Sequence, residues 1–274
     1  MNPTDLTFTP LRISTLVTTG HLGTTINLSS LFDQIPALLI PIGYPDEGFL
    51  KMEHETRVVG YSARDLLTKR RVSDKTFFNQ STIVIRKRKD ATEFKEVNVK
   101  LFANGGFQMT GVTNEEFSKE VILWIIDQFT RLPTAISPKE LSLAKFSVQL
   151  LNSDYKMNAF AKRSELHKIL CETYRLSSTL ETTIYQGVNT KYYYNKESTA
   201  TRGICGCTKF CSGQGDGATI GNCKRITIAI FQTGSIIITG ARKREQLDEA
   251  YDFINAILRT HSREVTRPLI APGA

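Results

Sequence analysis

An α+β fold of two pseudo-symmetric halves is predicted by three features of this 274-residue chain. Val97 to Phe129 lies without a gap over Ile226 to Leu258 at a constant offset of 129 positions, so that Phe102, Gly105, Thr110, Gly111, Glu116 and Glu120 fall on Phe231, Gly234, Thr239, Gly240, Glu245 and Glu249. Each copy passes from period-two alternation to a helical period. The chain is 41% hydrophobic, enough at this length to bury a sizeable core. Ungapped self-similarity of this kind points to internal symmetry rather than to two unrelated domains.

Each matched unit reads strand, turn, strand, helix. Ile226, Ile228 and Ile230 alternate with Thr227, Ala229 and Phe231, as Val97, Val99 and Leu101 alternate with Asn98, Lys100 and Phe102, the signature of a strand with one buried face. If the aliphatic set faces the core, Phe102 and Phe231 face away from it. Thr233-Gly234 supplies a turn, Ser235 to Thr239 a second strand, and Gly240 a break before the helix. Phe117, Val121, Trp124, Ile125 and Phe129 recur at helical spacing, as do Leu247, Ala250, Phe253, Ile254 and Leu258.

Upstream the likeness weakens but keeps its order. Arg12 to Thr19 and Phe146 to Asn152 read as strands, Leu28 to Ile35 and Ser164 to Tyr174 as short helices, and Ser81 to Lys87 and Asn189 to Asn195 as a further strand in each half. The halves are expected at 1–133 and 140–262, joined through a Pro-containing link, with a flexible tail at 263–274. Extra length falls at about 40–75, at a hairpin near Lys87 to Glu96, and at about 196–224; these read as loops or small subdomains.

The formal net charge of +8 favours a polyanionic partner. Basic runs at Lys69-Arg70-Arg71, Arg86-Lys87-Arg88-Lys89, Lys224-Arg225 and Arg242-Lys243-Arg244 could contact phosphate or be solvated surface, but Arg242-Lys243-Arg244 begins a helix and is not assigned to nucleic acid. The amino end lacks a signal-peptide pattern, and no apolar run reaches bilayer length, so a non-secreted, intracellular protein without a membrane partner is expected. His21, His54, His167 and His261 are scattered with no accompanying acid or nucleophile motif, and no enzyme is expected. Cys205, Cys207, Cys211 and Cys223 crowd one Gly-rich loop. Four thiols are the number that closes a tetrahedral structural zinc site, although the single-residue gap between Cys205 and Cys207 is unusual for a knuckle; the alternatives are one zinc or four free thiols.

At Phe231-Gln-Thr-Gly-Ser-Ile-Ile-Ile-Thr-Gly-Ala241 the chain resembles the TATA-box-binding protein family, whose repeats each carry Phe-x-x-Gly-x-x-x-x-Thr-Gly-Ala. Phe102-Ala-Asn-Gly-Gly-Phe-Gln-Met-Thr-Gly-Val112 is the looser first copy, Phe146 to Leu166 lies over the family's second-repeat opening strand and helix, and Tyr185-Gln-Gly-Val188 resembles its Phe-Pro-Gly-Leu segment. The insertions and the cysteine loop are most similar to divergent TATA-binding-like proteins of large nucleocytoplasmic DNA viruses.

The resemblance implies a saddle: a curved antiparallel sheet of ten strands with four helices on its convex back. It implies a general transcription-initiation factor that binds and bends double-stranded promoter DNA from the minor groove, wedging paired aromatics between base steps. Its partners would be a transcription factor IIB-like protein and RNA polymerase, in a nucleus or a cytoplasmic viral factory. An alternative is a TATA-binding-like scaffold that binds protein without bending DNA, its rings covered by an insertion or a partner.

The wedges carried over are Phe102 with Phe78, Phe77 competing for the second place, and Phe231 with Tyr185, whose hydroxyl wants a partner. The groove floor falls on Lys100, Gln108 and Thr110 in one half and on Ala229, Ile237 and Thr239 in the other. Lys100 and Gln108 depart from the family's apolar residues. At the family's central asparagine on the second opening strand stands Leu150, with Asn152 two residues on.

Overall fold

The computed structural model describes residues 6–67, 78–132, 136–198 and 200–268; the basic run at Lys69 to Arg71 and Phe77 lie outside them. Two compact units emerge, residues 15–149 and residues 1–14 with 150–274.

In chain order the first unit holds β1 (Arg12–His21, from residue 15), α1 (Leu28–Gln34), β2 (Gly48–His54), β3 (Arg57–Gly60), α2 (Ala63–Leu67), β4 (Gln80–Arg88), β5 (Phe94–Phe102), β6 (Gly106–Val112) and α3 (Glu115–Thr130). Its strands lie in the order β3-β2-β4-β5-β6-β1, with antiparallel pairing throughout. Val97, Val99, Leu101, Phe107 and Met109 are fully buried, as are Val121, Ile125 and Phe129 of α3. At roughly 1.5–3 kcal/mol per buried aliphatic or aromatic side chain, this layer is a main source of cohesion. Asn114 caps α3 by accepting from the Phe117 amide at 2.7 Å, and Glu115 and Glu116 complement the positive end of its dipole.

The second unit holds β7 (Ala144–Lys156, from residue 150), β8 (Ala159–Ala161), α4 (Arg163–Glu172), β9 (Ser177–Glu181), β10 (Tyr185–Tyr194), β11 (Lys224–Ile230), β12 (Ser235–Ala241), α5 (Arg244–Thr260), α6 (Ser262–Val265) and β13 (Thr266–Pro268). Strands run β7-β12-β11-β10-β9, and β13 pairs separately with β8. Helix α5 packs on β10, β11 and β12 through buried Leu247, Ala250, Ile254 and Leu258. The amino-terminal stretch belongs to this unit: Thr9 donates its amide to the Lys156 carbonyl, and Arg12 forks onto Asp154 at 2.9 and 3.1 Å.

The duplication extends to backbone detail. Gly111 and Gly240 have φ of +91° and +103°, left-handed values that favour glycine, and the strand pairing shifts register beside each, between Leu16 and Thr18 and between Thr239 and Ala241. A Cβ on Gly111 would lie 2.8 Å from the Glu96 carbonyl oxygen and 3.5 Å from the Val97 Cα; on Gly240 it would lie 3.0 Å from Arg225 and 3.5 Å from Ile226. The four neighbours pair off at the same offset as the glycines themselves.

Three expectations are corrected. The six and five strands of the two main orders exceed the ten implied, because the segment read as an insertion at about 40–75 adds the β2–β3 hairpin to the edge of β4. It does so because Phe49, Leu50 and Met52 are buried and Phe49 stacks on Phe129 at 5.8 Å and meets Trp124 at 5.1 Å. Helices number six among the described residues rather than four, α2 and α6 being short additions. Residues 263–268, expected in a flexible tail, are ordered by burial of Val265 and by pairing of Thr266 with Ala161. No helix among the described residues is long and apolar enough to cross a membrane.

Candidate nucleic-acid interface and cysteine cluster

Alternation sends one face of each unit's sheet to the helices and leaves the other outward. Phe102 and Phe231 are half-buried and stand on the outward side, opposite Leu101 and Ile230, which have no exposure.

In the second unit Phe231 is paired. Tyr185, at the start of β10 and 41% exposed, meets it edge to face with ring centroids 5.5 Å apart. Burial raises the Tyr185 phenol above its ordinary value. Gly187 makes the seat: a Cβ there would lie 3.1 Å from the Tyr185 ring and 3.2 Å from that of Phe231. Arg163, opening α4, ties the start of β10 to the turn after β11 by donating to the Gln186 carbonyl and the Gln232 side chain. Neither Gly187 nor Arg163 was singled out from sequence; the Tyr185-Gln-Gly-Val188 segment was visible, the service of its glycine to two rings was not.

Two outward rows run beside this pair. Lys191, Thr227, Thr239 and Asn152 face one another across four strands, with Lys191 Nζ donating to Thr227 Oγ1 at 2.9 Å and Thr239 Oγ1 donating to Asn152 Oδ1. Burial first, and then the charge of Arg225, hold the Lys191 ammonium below the usual lysine range. The adjacent row is Asn189, Ala229, Ile237 and Asp154. Ala229 is only 2% exposed, so its contribution to a floor is a shallow one. Leu150 shares the parity of Asn152 and is half-buried.

In the first unit the corresponding rows are Thr82, Lys100, Gln108 and Thr19, and Val84, Asn98 and Thr110. Lys100 is exposed. Phe78 stands 71% exposed before β4, and among the described residues it forms no ring pair with Phe102. Towards the β2 edge, Lys51 points outward yet is buried beneath α2, held by Asp65 at 2.7 Å and Glu53 at 2.8 Å, while the Ala63 amide bonds Glu96. The inserted segment therefore covers part of this outward face.

The basic runs fare unequally. Lys87 pairs with Glu47, Arg88 with Asp46 and Lys89 with Glu93, and Arg86 and Arg88 lie over the Phe94 ring, so most of that charge is met internally. Lys224 is buried and Arg225 exposed. Arg244 pairs with Asp248 on α5.

The four loop cysteines converge, their sulfurs all within 4.8 Å of one another. Cys223 Sγ lies 3.8 Å from that of Cys205 and 3.4 Å from that of Cys207, and all four thiols are free. Burial pushes the Cys223 thiol up to about 12 and raises Cys205; at Cys211 burial also works upward, but the Gly213 and Cys223 amides win and bring it down to about 7. Asn195 Nδ2 bonds Cys223 Sγ at 3.4 Å. The loop is fastened to α5 by Gln246, fully buried, whose Oε1 accepts from the Arg242 amide at 2.8 Å while its Nε2 donates to the Asp216 carbonyl at 2.7 Å. Such a cluster could hold a metal ion.

Residues 219–261 match the sequence profile of transcription factor TFIID, the TATA-binding protein. A protein of Acanthamoeba polyphaga mimivirus described as TATA-box-binding protein-like is 28% identical over 215 residues, covering 73% of this chain and 53% of the relative. The chain thus spans about half the length of that relative. Among solved structures, the Methanococcus jannaschii TATA-binding protein aligns over 92% of this chain and 99% of its own at 13% identity and a TM-score of 0.48. The profile match to the second repeat and the mimivirus relative, set beside the duplicated antiparallel units, fit a divergent TATA-binding-like protein of the viral kind.

Proposed function

We propose that this chain is a transcription-initiation factor that binds promoter DNA from the minor groove and bends it. The observation that carries this reading is the Tyr185–Phe231 pair, an edge-to-face aromatic couple presented outward over Gly187. A paired aromatic surface presented outward on a sheet is a candidate contact surface, and an unstacked base step is one that suits the rings' flat shape. Beside the pair, Thr227, Thr239 and Ile237 form a low surface suited to the acceptor-lined, unobstructed floor of A·T minor groove. Phe102 with Phe78 would act in the first repeat, and the helix-bearing face is left for a transcription factor IIB-like partner and RNA polymerase.

The test is a duplex with an A·T-rich element labelled at both ends. Salt-dependent binding with increased energy transfer between the labels is expected. Binding without any bend at low salt would instead favour a protein-binding scaffold, a reading helped by the α2 segment over the first unit's outward face.

The cysteine cluster suits one structural zinc. Tetrahedral thiolate sites have Zn–S of about 2.3 Å, hence sulfurs spaced about 3.8 Å apart, close to the Cys205–Cys223 separation of 3.8 Å. Cys205, Cys207, Cys211 and Cys223 would hold it, and it would fix the loop against α5. Metal analysis of protein purified without chelator should give one zinc per chain; a stoichiometry near zero removes the site.

A further inference from the structure

We propose that the two repeats read different base pairs: Gln108 makes the first repeat accept G·C, whereas Ile237 confines the second to A·T. This rests on the minor-groove reading above. Gln108 and Ile237 occupy equivalent places in the duplication, each outward on the strand after its repeat's phenylalanine, each opposite the residue that precedes that phenylalanine by two, Lys100 and Ala229. The positions are the same and the chemistry is opposed.

In the minor groove the one feature that separates G·C from A·T is the guanine 2-amino group, a donor projecting from the floor. Against Ile237 and Ala229 that donor would be buried without an acceptor, a loss that buried unpaired groups make costly. Gln108 offers what is missing. Its amide carries both an acceptor and two donors, so its oxygen can take the guanine amino proton while its nitrogen donates to the neighbouring acceptor. Among the described residues its side chain makes no hydrogen bond, and those beside it leave it free: Thr19 is engaged with Ser147 and Gln149, and Lys100 reaches into solvent. Lys100 adds a donor that any base pair's groove acceptors satisfy, so it lends affinity without restoring A·T preference.

The experiment replaces each A·T pair of a bound element in turn by G·C and by inosine·C, which lacks only the 2-amino group, and measures Kd by fluorescence anisotropy for wild type, Gln108→Val and Ile237→Gln. In the wild type, one block of positions should tolerate G·C and another should lose roughly tenfold or more, as expected for an unpaired buried donor, with inosine restoring binding. Gln108→Val should make the tolerant block discriminate against G·C but not inosine, and Ile237→Gln should relax the other block. Both side chains are on the outward face, and unchanged melting temperatures will show that the variants fold. Uniform rejection of G·C by the wild type, or a Gln108→Val profile identical to wild type, overturns the proposal while leaving the minor-groove reading intact. Failure of every duplex to bind at low salt overturns both.

Discussion

Tyr185 and Phe231, 46 positions apart in sequence, meet edge to face at 63° between ring planes over the bare backbone of Gly187. The two rings pack against each other on the outward side of the second unit, the arrangement that the proposed wedge requires.

If that wedge opens a base step, Phe231→Ala should reduce the bend more than the affinity, because contacts to the sugar-phosphate backbone survive. Gly187→Val is the sharper variant: it removes no aromatic, yet its side chain must displace both rings. A clear loss of end-to-end energy transfer at a Kd within about fivefold of wild type is expected; an unchanged bend in both variants would refute the wedge.

Gly240→Ala should lower stability by about 2 kcal/mol, since a Cβ must be accommodated at a left-handed φ with the Arg225 carbonyl 3.0 Å away. Gly111→Ala should cost about as much, because its surroundings match. Denaturant unfolding of the two variants checks this.

Lys51 is buried and Asp65 is its principal partner. Burial works to raise the Asp65 carboxyl, but the bonds from Lys51 and Ser62 outweigh it and hold the group below the ordinary carboxylate value of 3.8. The ion pair's contribution is therefore present above that value and lost as pH falls through the depressed one. Asp65→Asn should cost about 2 kcal/mol at neutral pH, Glu53 remaining to Lys51, and the melting temperature of the variant should depend less steeply on pH below about 4 than that of wild type.

If the cysteine cluster holds the proposed zinc, removing it should loosen the loop without unfolding the chain. With a high-affinity chelator, hydrogen exchange should accelerate across 196–224 and at the start of α5, while β7 and β12 stay protected. Cys223→Ser should reproduce the change without chelator. Metal retention should fail on acidification, since zinc needs thiolates that protons compete for.

How much of this was legible in the sequence depends on whether neighbours in space are spaced regularly in the chain. The repeat, its strand faces and its helices follow from periods of two and 3.6, so the outward placement of Phe102 and Phe231 and the buried faces of α3 and α5 could be read directly. The β2 strand escaped because a register shift between Phe49 and Lys51 breaks the alternation and because Lys51 is buried only through a partner that folds over it. The four cysteines were conspicuous by number, but their convergence depends on turns that no single spacing encodes. Gly187 was invisible as a seat, since a glycine's importance there lies in two rings, one two residues back on its own strand and one brought by Phe231 from the end of β11. The short α6 and β13 carry too few residues for either period to register.

Gln246 has one further implication, for anyone wishing to shorten this protein. Excising the cysteine loop as a dispensable appendage would take away the Asp216 carbonyl and strand the amide nitrogen of a side chain that sits sealed at a helix entrance. Where the first copy begins its long helix with Asn114, the second relies on this glutamine, so a trimmed protein would need a replacement start signal there. The loop and the helix should be inherited, exchanged or engineered as one piece.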